Sequence, residues 1–320
     1  MIDEMRGDLD LACERYERSV KLLRGDGVLG KLATTLTNLG VVYGKCGRED
    51  AAREAWREAL TLHEKVGHEA GVASTLNNVG LLLARRGRPR DAIDYLERAV
   101  AIQERIGDKG ELARMTGNLA SAYSSLDRHA DACVLLEQTL RLHTEIKDEI
   151  AIAETLRELA DALNAMGIGD AQKYYLRAME AFEAVGDKAS AACTELDLAF
   201  ALTNPSKAVT QAEHAVAVHT ALGNNDKDLG AALDGLGLLY CEAGEYQKGI
   251  AVMERSLEIT ERSGDTKGLA TLLRNLGAVC EQAKLHGKAI RYYEQALPLV
   301  EPIEREVVAS AIDLLRDSQA

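Results

Sequence analysis

Apolar and small residues along this 320-residue chain fall at helical spacing in a phrase that returns roughly every 40 positions. In residues 33–66 the phrase reads Leu36, Leu39, Gly40 and Tyr43, breaks at Gly47, and resumes as Ala52, Trp56 and Ala59. Spacings of three and four put each set on one stripe of a helix, so the pattern predicts two helices joined near Gly47. The phrase returns as Leu76, Val79, Gly80, Leu83, Ala92, Leu96 and Ala99, and again as Leu119, Ala120, Tyr123, Ala132 and Leu136. Further copies read Leu156, Leu159, Ala160, Leu163, Ala171 and Tyr175, then Leu233, Leu236, Gly237, Tyr240, Gly249 and Met253, then Leu273, Leu276, Gly277, Ala289, Tyr293 and Ala296. Gly40 and Ala52 are small where paired helices must approach closely, while Tyr43 and Trp56 fill the volume above and below. A fixed period of this size predicts stacked two-helix units, not a domain with one central core.

The punctuation agrees. Gly67, Gly107, Gly186, Gly223 and Gly264 stand where second helices should end in a left-handed residue. Asp108, Asp187 and Asp265 follow and can cap the next helix. The predicted division is a half unit over 1–30, units over 31–70, 71–110, 111–150 and 151–189, a degenerate unit over 190–226, then 227–267 and 268–301. A capping helix closes the chain over 302–320, with Ile303, Val307, Val308, Ile312 and Leu315 on one side. In the degenerate unit Glu195 takes the first Leu position and Ala212 the aromatic one, and Asn204 and Pro205 open its second helix. The connector from Asn224 to Asp228 is expected to be long. A hinge and neutral drift both account for this unit. The half unit, carried by Gly7, Ala12, Tyr16 and Ser19, suggests a piece of a longer protein or an end that a partner completes.

Leu36, Leu39, Gly40 and Tyr43 followed by Ala52 and Trp56 match the tetratricopeptide pattern W-x2-L-G-x2-Y…A-x3-F, with Leu36 in place of the Trp. The whole chain resembles the tetratricopeptide-repeat (TPR) family. With its period near 40 and its Gly-Asp connectors it is similar to the repeats of G-protein-signalling modulators, kinesin light chains and several bacterial regulators. The resemblance implies an all-α, right-handed α-solenoid of stacked antiparallel helix pairs, and a role in binding peptides or proteins.

Composition narrows the partners. Apolar residues make up 47% of the chain but aromatics only 4%, as expected for helices without strands. The net charge of −13 argues against nucleic acid, which needs clusters of Lys and Arg; it reads as solubility or as a preference for partners with basic segments. Cys13, Cys46, Cys133, Cys193, Cys241 and Cys280 show no CxxC and read as reduced thiols in the cytoplasm. No apolar run of membrane-spanning length occurs, so no membrane partner is expected. No catalytic motif stands out, and neither enzyme activity nor a cofactor is expected. His63, Glu64 and His68 form HExxxH, a spacing that denies the imidazoles a common helix face for zinc. Gly27 to Lys31 echoes a phosphate loop but lacks its Ser or Thr and its strand, and reads as a connector.

The resemblance places a ligand on the first helices, opposite their Leu-small-Tyr stripe. That face should carry Thr34, Thr37, Asn38 and Val41, then Ser74, Asn77, Asn78 and Leu81, then Arg114, Asn118 and Ser121. Asn38, Asn78, Asn118 and Asn275 share one repeat position. An amide offers donor and acceptor together, so a ladder of them can grip a peptide main chain; equally, each can bond a neighbouring helix. Arg114, Arg157 and Arg274 are candidate anchors for ligand carboxylates, and Glu154, Asp161, Asp197 and Asp234 make the middle acidic. Two readings follow: a scaffold holding a peptide or helix of a protein partner, or a regulatory arm of a larger signalling protein. Self-association fits either.

Overall fold

The computed structural model describes residues 2–223, 226–300 and 302–317, with backbone alone at 2–7, 302 and 303. Every regular element is a helix among the described residues, and contacts divide the chain into two units, Met1–Gly167 and Ile168–Ala320. The first unit holds α1 (Ile2–Asp26), α2 (Leu29–Lys45), α3 (Glu49–Lys65), α4 (Glu69–Arg85), α5 (Pro89–Ile106), α6 (Lys109–Ser124), α7 (His129–Ile146) and α8 (Glu149–Ala165). The second holds α9 (Ala171–Ala184), α10 (Lys188–Ala201), α11 (Pro205–Leu222), α12 (Asp226–Glu242), α13 (Tyr246–Ser263), α14 (Thr266–Gln282), α15 (His286–Ala296) and α16 (Pro302–Asp317). Within each unit every helix packs on the next. The first helices of successive pairs also meet: α2 with α4 and α4 with α6, α10 with α12 and α12 with α14. Each unit is thus a stack of helix pairs with its first helices gathered on one wall. The expected pair over 151–189 is divided, α8 falling in one unit and α9 in the other.

The small-residue beat marks the tightest approaches. A Cβ on Gly40 would overlap the Trp56 indole, and one on Gly80 would lie 2.6 Å from Leu96 Cγ. One on Gly237 would overlap Met253, and one on Gly277 would stand 2.5 Å from Tyr293 Cε1. Ala59, Ala99, Ala178, Ala215 and Ala296 on the second helices are wholly buried. Trp56 is sealed in as well, its indole N–H donating to the Thr37 carbonyl at 2.9 Å, which satisfies the one polar atom of that ring.

Helix ends follow the expected chemistry. Gly67, Gly107, Gly186, Gly223 and Gly264 all have positive φ. Asp108, Asp187 and Asp265 accept from the amides of Gly110 and Glu111, Ser190, and Gly268, and Asn204 accepts from Lys207. One junction departs from the pattern. Lys147 takes the left-handed position at φ 58°, and Asp148 caps α8 through the Ala151 amide.

Two expectations change at the irregular segments, and a third residue gains a partner. Helix α12 already begins at Asp226, so only 224–225 remain of the long connector, and these lie outside the described residues. Glu195 is buried and accepts from His214 Nδ1 at 2.7 Å, so the charge in a leucine position has a partner on the paired helix. On α16, Val308, Ile312 and Leu315 are buried, but Val307 is 70% exposed and not part of the packed side. The Ile303 side chain is outside the described residues.

Candidate binding clefts on the first helices

Junctions between successive pairs are fastened by a repeated trio. The Tyr43 hydroxyl donates to Glu17 Oε1 at 2.7 Å, with the Arg48 guanidinium 4.4 Å above the ring. Tyr123 donates to Glu97 at 2.5 Å under Arg128, and Tyr240 to Glu213 beside Lys248. Burial and then the Glu17 carboxylate push the Tyr43 phenol up to about 12, so it stays a donor at any ordinary pH. The matching positions are Arg57 and Leu83 between α3 and α4, and Glu137 and Leu163 between α7 and α8. Sequence reasoning treated these tyrosines as filler and missed their acceptors.

In the first unit a cleft of about 460 Å³ opens between α6 and α8 above α7. Arg114, Asn118 and Ser121 line one side and Glu154 and Glu158 the other. Arg114 is exposed and leans on Glu111, with Nη2 2.5 Å from Oε2. Glu158 is exposed as a residue, yet burial by the surrounding walls raises its carboxyl above the usual range against the pull of Arg157. Beneath them lies His143, whose buried Nδ1 has no hydrogen-bond partner among the described residues; desolvation holds this imidazole below its usual range. Its position matched that of His63, which concealed its place in the cleft. Ser121 and Glu158 also border a smaller hollow of about 170 Å³ with Asp161 and Ser124.

The expected residues divide on this wall. Thr34 and Asn38 are exposed on α2, with Val41 half-buried. Ser74, Asn78 and Leu81 on α4 and Arg157 on α8 are half-buried, and Arg157 Nε has no hydrogen-bond partner. Two do not reach the face at all. The Thr37 hydroxyl is buried against the Thr75 hydroxyl at 2.8 Å, and Asn77 is sealed in, accepting from Asn118 Nδ2 at 2.9 Å. The amide ladder is therefore partly used inside the stack: Asn38 and Asn78 remain open while Asn118 joins α6 to α4.

The second unit carries a cleft of about 330 Å³ at matching register, between α12 and α14 above α13. Among its polar groups is Asp234, held up at about 6 by burial against the opposing hydrogen bond from Asn275 Nδ2 at 2.9 Å. The other oxygen, Oδ1, is buried without a partner. Arg274 is half-buried and pairs through Nη1 with Glu304 Oε1 on α16 at 2.6 Å. Asn275, like Asn118, spends its donor between first helices.

The turn after α3 folds His68 back onto His63, with the Nδ1 atoms 3.1 Å apart, so the imidazoles meet although they share no helix face. His63 is 1% exposed and lies 3.4 Å from the Thr37 hydroxyl. Among the described residues no group of three His, Cys, Asp or Glu side chains gathers to hold a metal. Cys13 and Cys46 come together across α1 and α2, their sulfurs 3.5 Å apart, and no disulfide links the described residues. No described helix is long and apolar enough to cross a membrane.

Paired helices, the small-residue beat and the left-handed glycine ends coincide with two tetratricopeptide-repeat family models. One matches residues 31–105 and 228–301, the other 112–146. The chain belongs to the tetratricopeptide-repeat family. No curated protein matches it in sequence. Among solved structures, yeast Tom70 superposes with a TM-score of 0.67 at 14% identity over 99% of this chain, which spans 60% of Tom70's length. Aspartyl phosphate phosphatase F from Bacillus subtilis gives 0.64 at 14% identity, covering 89% of this chain and 75% of its own. A Rap protein complexed with Competence and Sporulation Factor gives 0.57 at 12% identity, with 98% of each chain covered. At these identities the likeness is one of fold. This TPR chain is an all-α solenoid of protein-interaction type.

Proposed function

We propose that the chain is a non-enzymatic scaffold that holds a peptide or helix of a partner protein along the first-helix wall of its first unit. One observation carries the reading. The cleft between α6 and α8 combines an exposed guanidinium, exposed carboxylates and a buried imidazole nitrogen with no partner of its own. Buried polar atoms are ordinarily satisfied, so an unsatisfied one in a side chain that lines a cleft supports a ligand or water there. Asn38, Asn78 and the apolar Val41 and Leu81 extend the same wall and suit a main chain and its side chains. That a Rap protein of this fold is described in complex with Competence and Sporulation Factor supports the class of partner.

The test is selection of peptides from a displayed random library on the whole chain. Ligands recovered should lose about tenfold in affinity, roughly 1.4 kcal/mol, when Asn38, Asn78 and Arg114 are together replaced by Ala, with helicity unchanged. Asn118 is left intact because it bonds Asn77. Ligands indifferent to the triple replacement would remove the reading.

A further inference from the structure

A second cleft, of about 650 Å³, lies on the other side of the first unit, between the second helices α3 and α5 above α4. Its neighbour between α1 and α3, about 640 Å³, provides the comparison. In the neighbour the arginines are answered locally: Glu17 takes Tyr43 and Arg48, and Arg24 pairs with Glu58 at 2.5 Å. In the α3–α5 cleft both halves of the junction trio are exchanged. Leu83 stands where the tyrosine would be, which takes the hydroxyl off the floor. Arg57 stands where the glutamate would be, which replaces an acceptor by a cation.

The floor is then apolar, made of the half-buried Leu60, Val79, Leu82 and Leu83. The rim carries Arg53, Arg57, Arg86, Arg88 and Arg90 against Glu49, Asp91 and Asp94, a cationic excess in a chain whose net charge is −13. Arg86 is taken by Glu49 at 3.1 Å, Arg88 by Asp91 at 2.6 Å and Arg53 by Asp50. Among the described residues Arg57 and Arg90 have no ion pair, and both are exposed. A guanidinium accepts a carboxylate bidentately, and two open ones flanking an apolar floor ask for carboxylates on either side of a bulky apolar side chain.

We propose that the α3–α5 cleft is a docking site for an acidic peptide segment anchored by Leu or Phe. Its carboxylates meet Arg57 and Arg90, and its apolar side chain covers Leu83. The surface is separate from the first-helix wall.

The probe is a fluorescein-labelled peptide, Glu-Asp-Phe-Glu-Glu-Leu-Leu-Asp, titrated with the whole chain by fluorescence anisotropy. Wild type should bind it, and Arg57→Glu with Arg90→Glu should weaken binding at least about tenfold. Arg57→Glu with Leu83→Tyr, which rebuilds the trio, should weaken it comparably. Both replacements at the arginines are on exposed side chains, and circular dichroism confirms folding. Asn38→Ala with Asn78→Ala should leave this affinity unchanged. Three binding results overturn the proposal: no binding by wild type, equal affinity for a control peptide with Ser replacing Phe and Leu, or indifference to the arginine exchange. Sedimentation of a dimer that Arg57→Glu with Arg90→Glu dissociates would assign the cleft to a second copy and equally overturn it.

Discussion

At the scale of single residues, the cost of a side chain is set by what it would meet. Gly40→Ala drives a methyl into the Trp56 indole and should destabilise the chain by about 1–3 kcal/mol, read as a lower urea midpoint. Gly117 sits in α6 with only Thr139 Cγ2 near it, at 3.9 Å, and Gly117→Ala should stabilise the chain by about 0.5–1 kcal/mol through helix propensity, read as a higher urea midpoint. If both replacements shifted it alike, the small-residue beat would not reflect close approach. His63 gives a pH signature. Desolvation, helped by the charge of His68, holds its pKa below the ordinary value of 6.5, so the unfolded chain takes the proton first as pH falls. The stability this neutral ring contributes is present above pH 6.5 and is lost below it. His63→Gln, the residue type found at the matching Gln103, should flatten the fall in melting temperature between pH 7 and pH 5. An unchanged pH slope would place the effect elsewhere.

At the scale of elements, helices and their ends were legible because they are written in local spacing. Left-handed glycines and capping aspartates lie within a turn of what they satisfy. Lys147 was not legible: nothing in its own sequence announces a left-handed residue, and the stack imposes the turn. Lys147→Gly should therefore stabilise by about 1 kcal/mol, measured by thermal melting. The amide ladder was half legible for a related reason. Repeat position put Asn38, Asn78, Asn118 and Asn275 in one row, but the offset between adjacent first helices decides which amides meet a neighbour. That offset brings Asn118 to Asn77 and Asn275 to Asp234, and no spacing within a helix encodes it. The same holds for Arg274, whose partner Glu304 is on another helix, and for His68, which a turn carries back to His63. In the degenerate pair, the Glu195–His214 bond replaces leucine packing between α10 and α11. If this segment is a hinge, residues 195–222 should exchange amide hydrogens faster than α12–α15, and equal protection would retire the idea.

For the whole molecule, stability in a repeat stack is a sum over neighbours. Leu276 is wholly buried on α14, and Leu276→Ala should cost about 2–5 kcal/mol. Hydrogen exchange should quicken across 168–320 and hold its wild-type rate across 1–167, in line with the division into two units. The Tyr–Glu–Arg fastening has a consequence of its own. Along the first unit it is made at Tyr43, absent at Leu83, made again at Tyr123 and absent at Leu163, so the stack alternates with a step of two hairpins. Excising one hairpin, α4 with α5, would set Arg57 against Tyr123 and strand both. Excising two, α4 through α7, would set Arg57 against Leu163, the kind of neighbour it already has. Shortened chains should thus fold well in four-helix increments and poorly in two-helix ones, which makes the hairpin pair the true module of this half of the protein.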